Sequence, residues 1–163
     1  RIGEFDRELR STNRGFVKLA ISISNITMLE EIEPRTLSYL QRLALAEKIQ
    51  KEGLFFSVTI KPILPFIEVD EYCTIINDFS KYTNYFLMGG LYINKGTKFY
   101  SQYILPGTKV TQRVVNWLPD HPEWDYIEDE VQFRQVREHA AQTGNLTFDS
   151  DDQLIRYYIE QRC

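Results

Sequence analysis

Apolar positions along the chain fall into short continuous runs separated by amphipathic stretches. Phe16 to Ile23 is apolar and β-branched, with Gly15 before it and Ser24-Asn25 after it, which predicts a strand. Tyr39, Leu43, Ala46 and Ile49 recur at helical spacing, predicting a helix from Leu37 to about Lys51. Thr36 is its expected N-cap, and Gly53 suits the position just past its end. Leu54 to Ile60 reads as a second strand. It runs into Lys61-Pro62-Ile63-Leu64-Pro65, where two prolines force an extended loop. Tyr72, Ile75, Ile76 and Phe79 fall at i, i+3, i+4 and i+7, predicting a short helix capped by Asp70. Tyr85 to Ile93 is a third strand, broken by Gly89-Gly90.

The order strand, helix, strand, helix, strand, with continuously apolar strands, predicts a parallel sheet with right-handed crossovers. Sheets of this kind are covered on both faces, and three strands are few for a barrel or a doubly wound fold. Part of the sheet is therefore expected from a missing segment or another chain. The predicted fold class is α/β: a partial TIM-like barrel fragment followed by a mostly helical C-terminal extension. Residues 1–15 form a lead-in, 16–93 half of a (β/α) partial barrel, and 94–163 a basic-aromatic loop with helices. Arg1 to Phe5 carry no expected structure. Val110 to Leu118 reads as a short helix, Pro119-Asp120-His121-Pro122 as a turn, and Val131 to Gln142 as a helix stopping at Gly144. Ser150 and Gln153 make a capping box for a last helix, Asp151 to about Gln161.

Charge changes the picture in one region. The net charge of −4 excludes a general polycation seeking nucleic acid. Yet Asn94 to Pro119 contains no acid, only Lys95, Lys98, Lys109 and Arg113 among Tyr92, Phe99, Tyr100 and Tyr103. Basic side chains neutralise phosphates while aromatic faces stack on unpaired bases, so Lys95, Lys98, Tyr100, Lys109 and Arg113 are candidate nucleic-acid contacts. The bland alternative is a solvated face. Two cysteines, Cys73 and Cys163, leave one disulfide open but make no disulfide framework, which fits a reducing cytoplasm. No apolar run reaches the length of a membrane span, and no signal peptide is visible.

The stretch from Leu19 to Pro65, LAISISNITMLEEIEPRTLSYLQRLALAEKIQKEGLFFSVTIKPILP, resembles the fourth and fifth strands of radical S-adenosylmethionine barrels with the helix between them. The strand before Ile93 is similar to the sixth. The nearest subgroup is the one related to spore photoproduct lyase and DNA-repair photolyase-like proteins. The resemblance covers residues 16 to 93. It implies that Ser22 and Ser24 contact the cofactor's ribose and methionyl part. It implies that Pro62, Ile63 and Leu64 lie against the adenine, that Met88, Gly89 and Gly90 also approach it, and that Arg35 reaches a cofactor carboxylate or the substrate. Barrel active sites gather at the C-terminal ends of strands, which is where these residues stand.

The family also needs a C-x-x-x-C-x-x-C motif, whose three thiolates hold a [4Fe–4S] cluster. Cys73 and Cys163 cannot supply it, and the family's Gly-Gly-Glu-type segment is absent. Phe66-Ile67 stands where the fifth-strand turn usually has glycine. The chain is therefore expected to be a C-terminal fragment. It supplies the adenosyl-binding wall, while S-adenosylmethionine and the cluster act in a parent that generates a 5′-deoxyadenosyl radical, with damaged DNA as the candidate substrate. Alone it is expected to be inactive and to bind no cofactor tightly. Its expected partner is the missing barrel half or another chain, with dimers forming through exposed sheet edges as a further outcome. The alternatives are a non-enzymatic interaction domain completed by a partner, and a different (β/α) barrel. His121, His139 and the Asp149, Asp151, Asp152 group carry no metal-ligand spacing, and no metal site is expected.

Overall fold

Apolar β-branched runs and amphipathic stretches alternate through the computed structural model, which describes residues 1–161; Cys163 lies outside the described residues. In chain order the elements are α1 (Ile2–Ser11), β1 (Lys18–Ser22), α2 (Leu29–Ile32), α3 (Tyr39–Lys51), β2 (Phe55–Ile60), α4 (Val69–Phe79) and β3 (Tyr85–Met88). They continue as β4 (Leu91–Ile93), α5 (Lys98–Tyr103), β5 (Thr111–Val114), β6 (Glu123–Ile127), α6 (Glu130–Gln142), β7 (Leu146–Phe148) and α7 (Asp151–Glu160).

The three expected strands pair in parallel, and a fourth joins them from beyond residue 94, giving the order β1-β2-β3-β7. Strand alternation sorts the side chains onto two faces. Ile21, Phe56, Val58, Ile60, Phe86 and Met88 pack against Ala46 and Ile49 of α3, the apolar face of α4, and Val136 and Ala140 of α6. Phe55 and Leu87 point the other way, against Leu154 and Tyr158 of α7. Phe55 and Tyr158 stack with their ring centroids 3.6 Å apart. Both faces are thus covered, as a parallel sheet requires, with α7 lying over the start of β2 and over β3 as far as Leu87. Along β1 and β2 that second face then turns polar, with Ser22 exposed, Thr59 half-buried, and Lys61 following in the same alternation.

The fold is therefore the expected one: parallel strands with crossover helices, as in a piece of a barrel, followed by a part carrying α5, α6 and α7. Several local expectations change. The Tyr85–Ile93 run is two strands, because the chain turns at Gly89-Gly90 and β4 leaves the parallel sheet to pair antiparallel with β6. Val110 to Leu118 is not a helix. Its β-branched start becomes β5, which pairs antiparallel with β6 around the Pro119–Pro122 turn. Asp120 and His121 in that turn both hold positive φ. The cap of α3 is Ser38 rather than Thr36, with Gln41 completing a capping box. Thr36 turns instead toward Arg42, whose guanidinium donates to its hydroxyl at 2.7 Å. Glu68 rather than Asp70 is the N-cap of α4, and Asp70 sits in its first turn, where the helix dipole favours an acid. Ile2 to Phe5 belong to α1, with Arg1 as its N-cap, and the helix is anchored by Asp6, which accepts from Val17 N and Arg10 Nε, both at 2.6 Å. Among the described residues no helix is long and apolar enough to cross a membrane.

Candidate functional site

The C-terminal ends of the parallel strands bring together Ser22 ending β1, Lys61 and Pro62 after β2, Met88 ending β3 with Gly89 after it, and Asp149 after β7. Two adjoining clefts open there. The smaller, about 420 Å³, has apolar walls from Pro62, Leu64, Tyr92, Phe99 and Trp124, with Ser22, Lys61 and Asn94 as polar groups. The larger, about 850 Å³, runs from Met88-Gly89-Gly90 to Arg113, Trp117 and Arg137. Lys61, Pro62, Leu91 and Tyr92 line both.

The end of β1 is tightly built. Glu33 accepts from Ser24 N at 2.8 Å and from the Ser24 hydroxyl at 2.5 Å. Its other oxygen accepts from the Arg42 guanidinium at 2.8 Å. Arg42 is 4% exposed and also donates to the carbonyls of Ser22 and Leu37. Burial pushes the Glu33 carboxyl up, but the hydrogen bonds from Arg42 and Ser24 outweigh it and hold the group below the usual carboxylate range. Glu71 of α4 secures the next residues, accepting from Ile26 N at 2.5 Å and the Thr27 hydroxyl at 2.8 Å.

The segment after β2 is held from below. Tyr72 Oη accepts from Leu64 N at 2.7 Å, Gly89 O accepts from Ile63 N at 2.8 Å, and Gln132 Nε2 donates to the carbonyls of Leu64 and Ile67. The Lys61 ammonium donates to the Asp149 carbonyl. Burial pushes its pKa down, against the pull of Asp151 and Asp149. Across the larger cleft, the Arg113 guanidinium lies over the Tyr126 ring, 3.5 Å from its centroid. Tyr126 Oη accepts from Gly90 N at 3.1 Å and donates to Glu128, and burial together with Glu128 pushes the phenol up to about 12.

Of the residues expected at the cofactor, Ser22, Pro62, Leu64, Met88, Gly89 and Gly90 line the two clefts. Ser24 lies at the smaller cleft but is 3% exposed, its hydroxyl committed to Glu33. Ile63 is 3% exposed and Leu64 and Met88 are fully buried, so the side chains of all three belong to the core. Arg35 holds φ 64° in an exposed turn and lines a different groove with residues of α2 and α3. Of the candidate nucleic-acid contacts, Arg113 lines the larger cleft and Lys98 is exposed on α5. Lys95 is 3.5 Å from the buried Asp125, and Lys109 is 3.0 Å from Glu130. Tyr100 packs against the core. His121 is exposed, and His139 Nε2 lies 2.8 Å from Asn77 Oδ1. Lys61 carries a sequence signal only as the continuation of the Ser57, Thr59 alternation of β2, which marks a polar face. Trp117 and Tyr126 gave no sequence signal.

A planar heterocycle with polar edges fits the smaller cleft, where rings and proline flank a hydroxyl, an amide and an ammonium. An iron–sulfur cluster does not fit this chain. Its ligand set needs three thiolates, and among the described residues Cys73, on α4, is the one cysteine. Among those residues no three His, Cys, Asp or Glu side chains are grouped to hold a metal ion.

No family model matches the chain, and no curated protein sequence does. Solved structures of spore photoproduct lyase do match in fold. A double-mutant form with bound AdoMet and dinucleoside spore photoproduct superposes with a TM-score of 0.58 at 17% identity, over 86% of this chain and 44% of that one. The enzyme complexed with dinucleoside spore photoproduct gives 0.53 at 15% identity over the same shares. The chain thus spans less than half the length of the structures it matches, and the likeness is one of fold.

Proposed function

We propose that this chain forms the adenosyl-binding wall of a radical S-adenosylmethionine enzyme whose cluster and remaining barrel strands lie in another segment or chain. One observation carries the reading. Ser22, Pro62 and Gly89, drawn from three adjacent parallel strands, converge on clefts at the strands' C-terminal ends. The fold likeness to spore photoproduct lyase, solved with AdoMet and a lesion dinucleoside, supports it. When bound, S-adenosylmethionine supplies the radical chemistry. The chain's own part is to orient it: Ser22 offers a hydroxyl to the ribose or methionyl part, and Pro62 flanks the adenine. The larger cleft, with Lys61 and Arg113 as cations and the exposed Trp117 as a stacking face, suits a DNA lesion.

The reading is tested by titrating the chain with S-adenosylmethionine while following tryptophan fluorescence, since Trp124 lines the smaller cleft. Saturable millimolar binding, weakened several-fold by Ser22→Ala, is the expected result. A flat titration overturns it. The DNA contact is tested separately with a Lys98→Gln/Arg113→Gln variant and single-stranded DNA. Lys95 is left alone because the buried Asp125 depends on it. A tenfold or greater loss of affinity is expected, and no change removes DNA from the proposal.

A second reading is favoured by the outer edge of β1, which no described strand pairs and on which Ala20 and Ser22 are exposed. In that reading the chain is a binding module that a partner completes by strand addition. Concentration-dependent self-association without S-adenosylmethionine binding would favour it.

A further inference from the structure

The smaller cleft has a hydroxyl at its rim and another just behind it, and the two are treated differently. Ser22 is exposed, and its carbonyl is the acceptor for Arg42. Ser24 is buried, and both its amide and its hydroxyl are taken by Glu33. Asn25, fully buried, adds a bond to the Ser24 hydroxyl at 2.9 Å and accepts from Met28 N at 2.9 Å. Glu33 itself lines the cleft. One ion pair therefore fixes the strand end at Ser22 through Arg42 and two residues later through Glu33. Between these points Ile23 is buried in the core and its amide donates to the Thr59 carbonyl at 3.0 Å, so the backbone between the two serines is held as well.

We propose that Glu33 is a positioning residue: paired with Arg42, it locks the end of β1 so that the Ser22 hydroxyl faces the cleft and the Ser24 hydroxyl is withheld from any ligand. This rests on the reading of the cleft as an adenosyl site and deepens it. It assigns the single ligand-facing hydroxyl of the Ser-x-Ser segment to Ser22, and it gives the acid of the Glu-Pro-Arg loop a role that Arg35, pointing into another groove, does not share. Glu33 needs no contact with the ligand. Its effect passes through Ser24 and the Ser22 carbonyl, so its loss loosens the strand end before it touches binding.

The test uses the whole chain and two readouts on the same samples: backbone hydrogen exchange over residues 22–27, and fluorescence titration with S-adenosylmethionine. Glu33→Ala is expected to speed exchange at the Ser24 amide tenfold or more and to weaken binding about tenfold. Glu33→Gln, which keeps an oxygen for Ser24, should restore most of the protection, and it also serves if the alanine variant does not fold. Ser24→Ala is expected to shift exchange in the same direction as Glu33→Ala, whereas Ser22→Ala should weaken binding with exchange unchanged. Unchanged exchange in both Glu33 variants overturns the clamp. Faster exchange with unaltered affinity overturns its positioning role. A wild-type chain with no titration signal overturns the adenosyl reading instead, and the positioning role with it, while the exchange data still report whether Glu33 holds the strand end.

Discussion

Replacing Arg42 with methionine is expected to lower the free energy of unfolding by about 3 kcal/mol, roughly 10 °C in melting temperature for a chain of this size. The methionine keeps the apolar stem and removes the guanidinium. Four acceptors then lose their donor together: the carbonyls of Ser22 and Leu37, the Thr36 hydroxyl and one Glu33 oxygen. Removing one partner of a buried pair costs more than the pair's net worth, because the remaining charge stays desolvated. Here Glu33 keeps its bonds from Ser24, which holds the loss near the lower end of the range. The pH dependence checks the sign. A carboxyl held below its unfolded value of about 4.3 contributes stability that is present above that value and lost as pH falls through the lower folded one. Wild-type stability should therefore decline below about pH 4, with a flatter decline in Arg42→Met. A loss under about 1 kcal/mol in urea unfolding at neutral pH would mean that Ser24 alone carries Glu33.

The second large effect is expected at Gly90. A Cβ there would lie 2.6 Å from the Ile127 carbonyl oxygen and 2.7 Å from the Tyr126 ring and hydroxyl. The carbonyl is fixed in the β4–β6 ladder, and the ring is held by Arg113 and Glu128, so nothing nearby can give way cheaply. Gly90→Val is expected to cost about 3 kcal/mol by overpacking. It should also dim any ligand response of the larger cleft, because the junction between the two sheets has to open. Gly89→Ala is the control. Its Cβ would meet only the Lys61 side chain, at 2.9 Å from Cε, and that chain is flexible. A cost below about 1 kcal/mol is expected there. Equal costs at the two glycines would show that the tight space at Gly90 is not what selects it.

These two glycines also show where sequence reading stopped. A broken apolar run was legible, and the resemblance suggested that glycine lets a ligand approach. That β4 would leave for a separate antiparallel sheet depends on Tyr126 and Ile127, more than thirty residues away, which no local pattern discloses. The main strands and the helices α3, α4, α6 and α7 were readable because periodicity and caps are local properties. The polar alternation of Ser57, Thr59 and Lys61 is masked by the apolar residues between them, so Lys61 has no distinguishing pattern in the sequence. Val110 to Leu118 reads as a helix in isolation, because its partner strand lies beyond a turn and supplies the hydrogen bonds that decide its state. At the site, residue types were legible while their commitments were not. Ser22 and Ser24 look alike in sequence, and only the position of Glu33 separates them.

The fourth strand carries a consequence for how the chain folds. β7 pairs with β3 across about sixty intervening residues, while β1 to β3 are linked by compact crossovers. Closing long loops costs chain entropy before the contacts return it. The strand–helix–strand units and the β5–β6 hairpin can form early on local contacts. Docking of β7, with α7 laid over Phe55 and Leu87, waits on both, and until it happens two large apolar side chains face water. β7 and α7, residues 146–160, thus act as a late-closing cover for the sheet, and a chain in which they are undocked leaves Phe55 and Leu87 open to aggregation.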